Sequence, residues 1–325
     1  MKKLFKISAV LLAVGILISL IGVILIRRDN VAPAGIYSAL EDNLKLSDDG
    51  FDYTEPQRYD LTEVKTRSNA KEQECELNEF NSIELYGEKC SVKFTSSSGE
   101  KMAVKLNGGT LITANTGGVF YIQAIGGESD CELTVAVPDI YKGGVNLQLD
   151  GCDADLGSID SAMDMTLNFR DSAVEAKSLS ADNITIAASG ASLKLGALKA
   201  ADELYAAVRS TDIRLSAASA QTQTLKADHS TADIRNIAGR WTLDSNMSKV
   251  EALFRQLSGG ITIDVNAGSA VIRLPENVSP EVEHSEKYGV FTNDLVVSGS
   301  PSTADEAVRS MIDCRVQYGV VTLEN

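Results

Sequence analysis

Residues 184–198 read ITIAASGASLKLGAL, and nearly the same rhythm returns about every twenty residues through more than a third of the 325-residue chain. With Ile184 as the first position of a unit, offsets 0, 2, 4, 9 and 11 give Ile184, Ile186, Ala188, Leu193 and Leu195. Leads at 145, 165, 204, 223, 241 and 261 give comparable sets. Of the 35 positions marked this way 33 are apolar, Gln223 and Ser245 being the exceptions. The positions between them, such as Asn146, Gln148 and Asp155 or Thr166, Asn168 and Glu175, are mostly polar.

Alternation with period two within each half-unit means short strands with one buried face. Four-residue turns such as Asp150-Gly151-Cys152-Asp153, Ser189-Gly190-Ala191-Ser192 and Asn266-Ala267-Gly268-Ser269 separate the halves, and their residue types supply the backbone freedom a turn needs. A further apolar column, Ile159, Leu179, Leu198, Ala218 and Ile237, marks the return bend. A unit this short cannot bury its own apolar face, but stacked on copies of itself it can, each coil pairing its backbone with the coils on either side. The expectation is an all-β chain dominated by a parallel β-solenoid with coils of about 20 residues. A meandering antiparallel sandwich is the competing fold, but it does not require columns that stay in phase over seven units.

Ahead of the repeat stands a different kind of segment. Lys2, Lys3 and Lys6 precede Ile7 to Ile26, twenty residues without a charge, and Arg27 and Arg28 close the run. As a helix this run is roughly 30 Å long, the thickness of a bilayer's hydrocarbon core. A cleavable signal peptide is the competing reading, since Ala32-Pro33-Ala34 has the small-x-small form of a cleavage site. The run exceeds the usual length of a signal's apolar region and Arg27, Arg28 and Asp29 intervene before that site, which favours an uncleaved single-pass anchor. The lysine excess before it favours a cytoplasmic N-terminus and an extracytoplasmic body. Downstream of residue 28 the chain carries 25 basic and 45 acidic residues, a net of −20, which argues against nucleic acid as a partner.

Three regions follow: residues 1–28, the basic flank and anchor (7–26); 29–79, a charged and aperiodic membrane-proximal spacer; and 80–325, the repeat domain. Within the last, Phe80 to Pro138 alternates with longer glycine-rich connections, which suggests irregular first coils or an N-terminal cap. Pro280 to Thr292 is a weaker unit. Pro301 to Ser310 reads as an insertion with a capping-box spacing at Thr303 and Glu306. Ile312, Cys314, Val316, Val321 and Leu323 then restore the offsets for a final coil.

Groups that carry chemistry do not converge in the sequence. His229 and His284 are the only histidines. Asp228, His229 and Ser230 are neighbours in a turn, which is expected to point them apart rather than assemble a triad. Asp150, Asp153 and Asp155 offer oxygens but lack the spacing of known calcium loops. Arg170 and Arg209, each beside acidic neighbours, are the pair to inspect for lyase chemistry, although the short turns leave no cleft. Cys75, Cys90, Cys131, Cys152 and Cys314 show no CxxC and signal neither a disulfide framework nor a zinc site. They read as isolated thiols, with a Cys75–Cys90 bridge as the alternative. The sequons at Asn183, Asn246 and Asn277 matter only in a host that glycosylates them. At offset 10, Glu175 precedes Lys194 and Arg214 precedes Asp233 by one coil, so opposite charges are expected to face each other there. No catalytic, cofactor or metal residue is assigned.

The basic-flanked helix, FNSIELYGEKCSVKF at 80–94, the strand LTVAVP at 133–138 and the twenty-residue units with Ser-Gly or Asp-Gly turns resemble the bacterial putative-adhesin β-strand-repeat family, which includes LiaG-like proteins. The likeness covers roughly residues 80–325. It implies a right-handed parallel β-solenoid without known catalytic residues, a domain whose biochemical role is largely unassigned and for which adhesion and envelope-stress responses are suggested. Repeat and resemblance together lead to a non-enzymatic chain on the bacterial cell membrane, anchored through 7–26, whose solenoid meets cell-wall or envelope components. The alternatives are a regulatory component of an envelope-stress response, acting through a protein partner, and a polysaccharide-active enzyme.

Overall fold

A computed structural model of the chain describes residues 55–295 and 310–325, apart from 63, 65, 66, 128, 129, 277 and 279. The anchor at 7–26, the candidate cleavage site and the capping-box segment at 301–309 lie outside the described residues. No helix among the described residues is long and apolar enough to cross a membrane. Apart from one short 3-10 turn, Leu77–Glu79, the regular structure described is β-strand.

The expected files of stacked side chains are present. β8 (Gly144–Asp150) pairs in parallel with β11 (Met165–Arg170), and β11 with β12 (Ala173–Ser189), so that Val145, Met165 and Ile184 stand side by side. β13 (Ser192–Arg209), β14 (Asp212–Asp228) and β15 (Thr231–Arg273) extend the file through Leu204, Gln223 and Trp241. A second file starts at β9 (Asp153–Asp155) and runs Ala154, Val174, Leu193, Ile213, Ala232. Every one of the 35 marked positions is buried, the two polar exceptions included. Gln223 satisfies its amide by donating from Nε2 to the Ala238 carbonyl at 2.6 Å.

The return bend is a strand in its own right, which corrects the two-stranded unit expected from the sequence. β10 (Ser158–Asp160) pairs in parallel with the middle of β12, and the ladder continues Ile159, Leu179, Leu198, Ala218, Ile237, all buried. Each coil therefore has three faces. β12 to β15 are single long strands because they bend through the corners without losing the ladder; β15 alone covers two coils, with Gly259 and Gly268 set against Arg240 and Ser248 one coil earlier.

The corner between the first and second faces repeats one device. Lys89, Gly151, Asp171, Gly190, Ser210, His229, Met247 and Ala267 all occupy the left-handed region, with φ between 46° and 64°. Six of the eight are not glycine, at a cost of roughly 1 kcal/mol each. The next residue offsets that cost where it carries a hydroxyl. Ser172, Thr211, Ser230 and Ser248 donate to the carbonyl two residues back at 2.7–2.8 Å. Each also accepts an N–H from the preceding coil, those of Cys152, Ala191, Thr211 and Ser230, at 3.0–3.4 Å. A column of hydroxyls thus runs through the wall of the stack.

Both ends depart from sequence order. The first coil, β2 (Ser82–Glu88) and β3 (Ser91–Ser97), lies between β6 (Val119–Ile125) with β7 (Glu132–Pro138) on one side and β8 with β9 on the other. Beyond β6 and β7 the pairing turns antiparallel, with β5 (Thr110–Thr116) on β6, and β4 (Lys101–Asn107) followed by β1 (Glu72–Glu76) on β7. Residues 80–138, read as irregular first coils or a cap, hold both, the out-of-order first coils and the antiparallel strands that cover them, and β1, from the segment read as spacer, pairs with that cover. At the other end β18 (Met311–Val316) and β19 (Val320–Glu324), last in sequence, pair directly with β15. β16 (Glu281–Glu286) and β17 (Val290–Asn293) lie outside them. The coil expected to be final is thus enclosed, and the weaker unit forms the edge.

Candidate functional site

Register brings one row of polar residues into line along the corner: Glu88, Asp150, Arg170, Ser189, Arg209, Asp228 and Asn246. Arg170 donates to both oxygens of Asp150, from Nε at 2.8 Å and from the terminal nitrogen nearer still, and reaches Glu55 Oε2 at 3.1 Å. Arg209 donates from Nε to Asp228 at 3.1 Å. Asp228 also accepts from Asn246 Nδ2 at 2.8 Å, and only 8% of its side chain is exposed. The two arginines singled out for lyase chemistry are therefore each clamped to a carboxylate on an adjacent coil, Arg170 on the one before and Arg209 on the one after, with the small Ser189 between them.

Asp228 and His229 do meet, which corrects the expectation that the turn points them apart. His229 Nδ1 lies 2.7 Å from Asp228 Oδ1, with the His229 backbone in the left-handed region at φ 49°. The Ser230 hydroxyl faces the other way, onto the carbonyls of Val208 and Asp228, so no triad forms. His284 sits at the far edge, stacked on Phe291 with ring centroids 4.5 Å apart. Asp150 is taken by Arg170 and Asp155 accepts the Gly157 N–H at 3.0 Å. Among the described residues no group of His, Cys, Asp or Glu is arranged to hold a metal ion.

The outward charges at offset 10 behave in two ways. Lys194 reaches Glu175 at 3.0 Å, as expected, and both side chains are about two-thirds exposed, so the pair is worth at most about 1 kcal/mol. Arg214 stands beside Asp233 in register but bonds Asp212 at 3.5 Å, while Arg235 takes Asp233 at 3.0 Å. Pairs two residues apart on one strand outcompete the cross-coil pair there.

Residues 55–62 form a strap that crosses the first face coil by coil. Glu55 meets Arg170 in β11, Gln57 N–H donates to Gln148 in β8, Arg58 binds Glu88 in β2, and Tyr59 lies edge-on to Tyr121 in β6 with centroids 5.2 Å apart. The order of contacts follows the order of the stack. Sequence periodicity gave no sign of this strap, because its contacts, polar ones together with Tyr59 and the buried Leu61, repeat with no period.

Where the third face stops, a cleft of about 290 Å³ opens, lined by Phe94, Val137, Tyr141, Ile159, Asp160 and Lys177. Its walls are mainly apolar, and its carboxylate at Asp160 is already bound by Lys142.

The five cysteines are buried and unbridged. Cys75 contacts Glu79 and Asn115, not Cys90, so the alternative Cys75–Cys90 pairing is corrected. Burial and Glu79 push its thiol up to about 12. Cys90 lies instead 3.6 Å from Cys152.

Residues 72–312 match the family model Toastrack DUF4097. The chain belongs to this family. The match covers the cap, the whole repeat and the first residues of β18, which bears out the resemblance to adhesin-like repeat domains of unknown function. Two crystal structures are similar to the Toastrack chain. One is a putative adhesin from Bacteroides fragilis, 14% identical, TM-score 0.39, over 81% of this chain and 98% of that one. The other is a putative cell adhesion protein from Clostridium sporogenes, 9% identical, TM-score 0.20, over 78% and 98%. None of the curated proteins matches.

Proposed function

We propose that this chain is a non-enzymatic β-solenoid of the bacterial cell envelope, held at the membrane by residues 7–26 with its C-terminal domain extracytoplasmic, that acts as an adhesive or envelope-binding surface. Its coils wind right-handed, as parallel crossover connections between strands of one sheet almost always do. The observation that carries the reading is the corner row. Arg170 is held by Asp150 and Arg209 by Asp228, which Asn246 and His229 also bind, so the side chains best suited to chemistry are spent on joining coils along the stack.

A sedimentation assay tests this. The full-length chain, purified in detergent, is mixed with isolated cell-wall polymer and with envelope fractions from the host bacterium. Saturable retention on one of these, unaffected by Arg170→Ala and Arg209→Ala beyond their effect on folding, is expected. Release of sugar fragments from anionic polysaccharide, lost in those variants, is the result that overturns the non-enzymatic reading.

A further inference from the structure

The column of small residues behind the corner changes chemistry along its length. From β15 back to β11 it reads Ser248, Ser230, Thr211, Ala191 and Ser172, and it continues into Cys152, Cys90 and Cys131. Ladder register fixes that continuation. Ser91 pairs with Asp153 on one side and with Glu132 on the other, which places Cys90 between Cys152 and Cys131. The Sγ atoms of Cys90 and Cys152 are 3.6 Å apart, and Cys131 is buried on the other side of Cys90. Gly87 makes room for the pair: a Cβ there would sit 3.4 Å from both sulfurs and 2.9 Å from Leu149 Cδ2.

Sulfur is not needed for the ladder itself. Cys152 Sγ points at the Asp150 carbonyl two residues back, at 3.5 Å, the same bond that Ser172 makes to Arg170 with oxygen at 2.7 Å. A serine would make that bond better. What cysteine adds is the capacity to join coils covalently. In-register neighbours on adjacent strands are about 4.8 Å apart, inside the Cα separation a disulfide requires. The first coil is also the one most in need of joining, because it is threaded out of sequence order between the cap and the main stack.

We propose that Cys90 and Cys152 form a disulfide that staples the first coil to the main stack, and that Cys131 is the alternative partner of Cys90. The oxidant is a disulfide of the glutathione class or a thiol–disulfide oxidoreductase. The thiolate of one cysteine, its proton released to water, attacks a sulfur of the oxidant, and one reduced thiol leaves. The thiolate of the second cysteine then attacks the protein sulfur of the mixed disulfide, and the second reduced thiol leaves. Two protein thiols lose two electrons and the oxidant becomes two thiols. Cys90 can hold only one partner, so the staple has two positions. With Cys152 it ties the first coil to β9, and with Cys131 it ties that coil to β7. Transfer between them is attack by the free thiolate on Cys90 Sγ, with the former partner leaving.

The test uses the full-length chain in detergent, reduced, brought to equilibrium with oxidised glutathione just below its unfolding temperature, then alkylated and mapped by mass spectrometry without reduction. A peptide pair linked through Cys90 and Cys152, lighter by two hydrogens, with Cys75, Cys131 and Cys314 alkylated on unfolding, is expected. In Cys152→Ser the bridge moves to Cys90–Cys131, and in Cys90→Ala neither Cys131 nor Cys152 is bridged. Because the bridge closes a chain segment of 62 residues, the oxidised protein melts several degrees higher than the reduced one. A folded chain, by circular dichroism, that yields only glutathione adducts, no cross-link, or a bridge through Cys75 or Cys314 overturns the proposal.

Discussion

Both ends of the stack exchange the sequence order of their outer coils, yet they treat the resulting edge differently. At the N-terminal end the outward edges of β6 and β7 are covered by β5 and β4, which run antiparallel to them, and β1 extends the cover further. At the C-terminal end β16 and β17 pair only inward, and among the described residues no strand pairs with their other edge. That edge instead exposes Glu281, Glu283 and Glu286, with Tyr288 stacked on Tyr318. Unpaired strand edges invite association, and a solenoid must blunt both. One end does it with hydrogen-bonded strands, the other with negative charge. The pairing solution adds a packed aromatic cluster, Phe80 with Phe120 and Tyr141 at 5.4 and 5.7 Å, whereas the charged edge adds little core.

The largest consequence is a difference in what each end contributes to stability. Phe80→Ala removes a ring that is buried between two others and is expected to cost about 3–5 kcal/mol, read from the urea midpoint. Phe291→Ala, half-buried on the outer coil, should cost less than half as much. Equal losses would mean that the outer coil is as much part of the cooperative core as the cap. Between these two lies the corner column. Ser230→Ala strands the Thr211 N–H in the wall and should cost about 1–3 kcal/mol in the same assay.

Hydrogen exchange sharpens the comparison at smaller energies. Amides of β16 and β17 should exchange before those of β4 and β5, because the outer coil is laddered on one side only, to β18 and β19, and opening it exposes few apolar groups. Slower exchange in β16 than in β5 would show that something beyond the described residues covers that edge.

How much of this was legible in the sequence differs between the wall and the ends. The apolar columns specify the wall directly, since a position that must be buried in every coil cannot vary in character, and Val145, Met165, Ile184 and Leu204 do stand in one file. The third face was legible only as one buried column, because strands as short as Ser158–Asp160 present a single inward residue between two outward ones. The exchange of coils at each end left no signal at all. Any coil with the right columns can stack on any other, so pattern alone does not say which neighbours which. The sulfur column follows from that neighbour choice, as does the place of Glu88 in the corner row: Cys90 meets Cys152 only because the first coil is inserted beside β9. The triplets Arg209-Ser210-Thr211, Asp228-His229-Ser230 and Asn246-Met247-Ser248 did carry a readable signal, a polar residue, a left-handed corner and a hydroxyl, but its meaning as a ladder is visible only in register.

The smallest effect should separate the two ends by pH. At the capped end Glu88 is pushed up by burial, but hydrogen bonds from Arg58 and Tyr86 prevail and hold its carboxyl below the usual range. Its folded value lies below its unfolded one, so the stability it lends is present at neutral pH and is lost as pH falls through the folded value. Near the open end Asp264 is the reverse. Partial burial, then repulsion from Asp244 and Asp313, raise its carboxyl despite Arg315. Its folded value lies above the unfolded one, so ionising it costs stability at neutral pH, and acidification through that window relieves the cost. Glu88→Gln should therefore be destabilised at about pH 7 by roughly 0.5–1 kcal/mol, and the gap to wild type should close on acidification below the glutamate range. Asp264→Asn should be stabilised at about pH 7 by a few tenths of a kcal/mol, and that advantage should shrink as the wild-type carboxyl protonates. Gaps that close for opposite reasons at the two ends are what the geometry requires. If both variants were destabilised at neutral pH, the carboxylate at Asp264 would be a stabilising contact of the outer coils, and the two ends would be alike in their electrostatics.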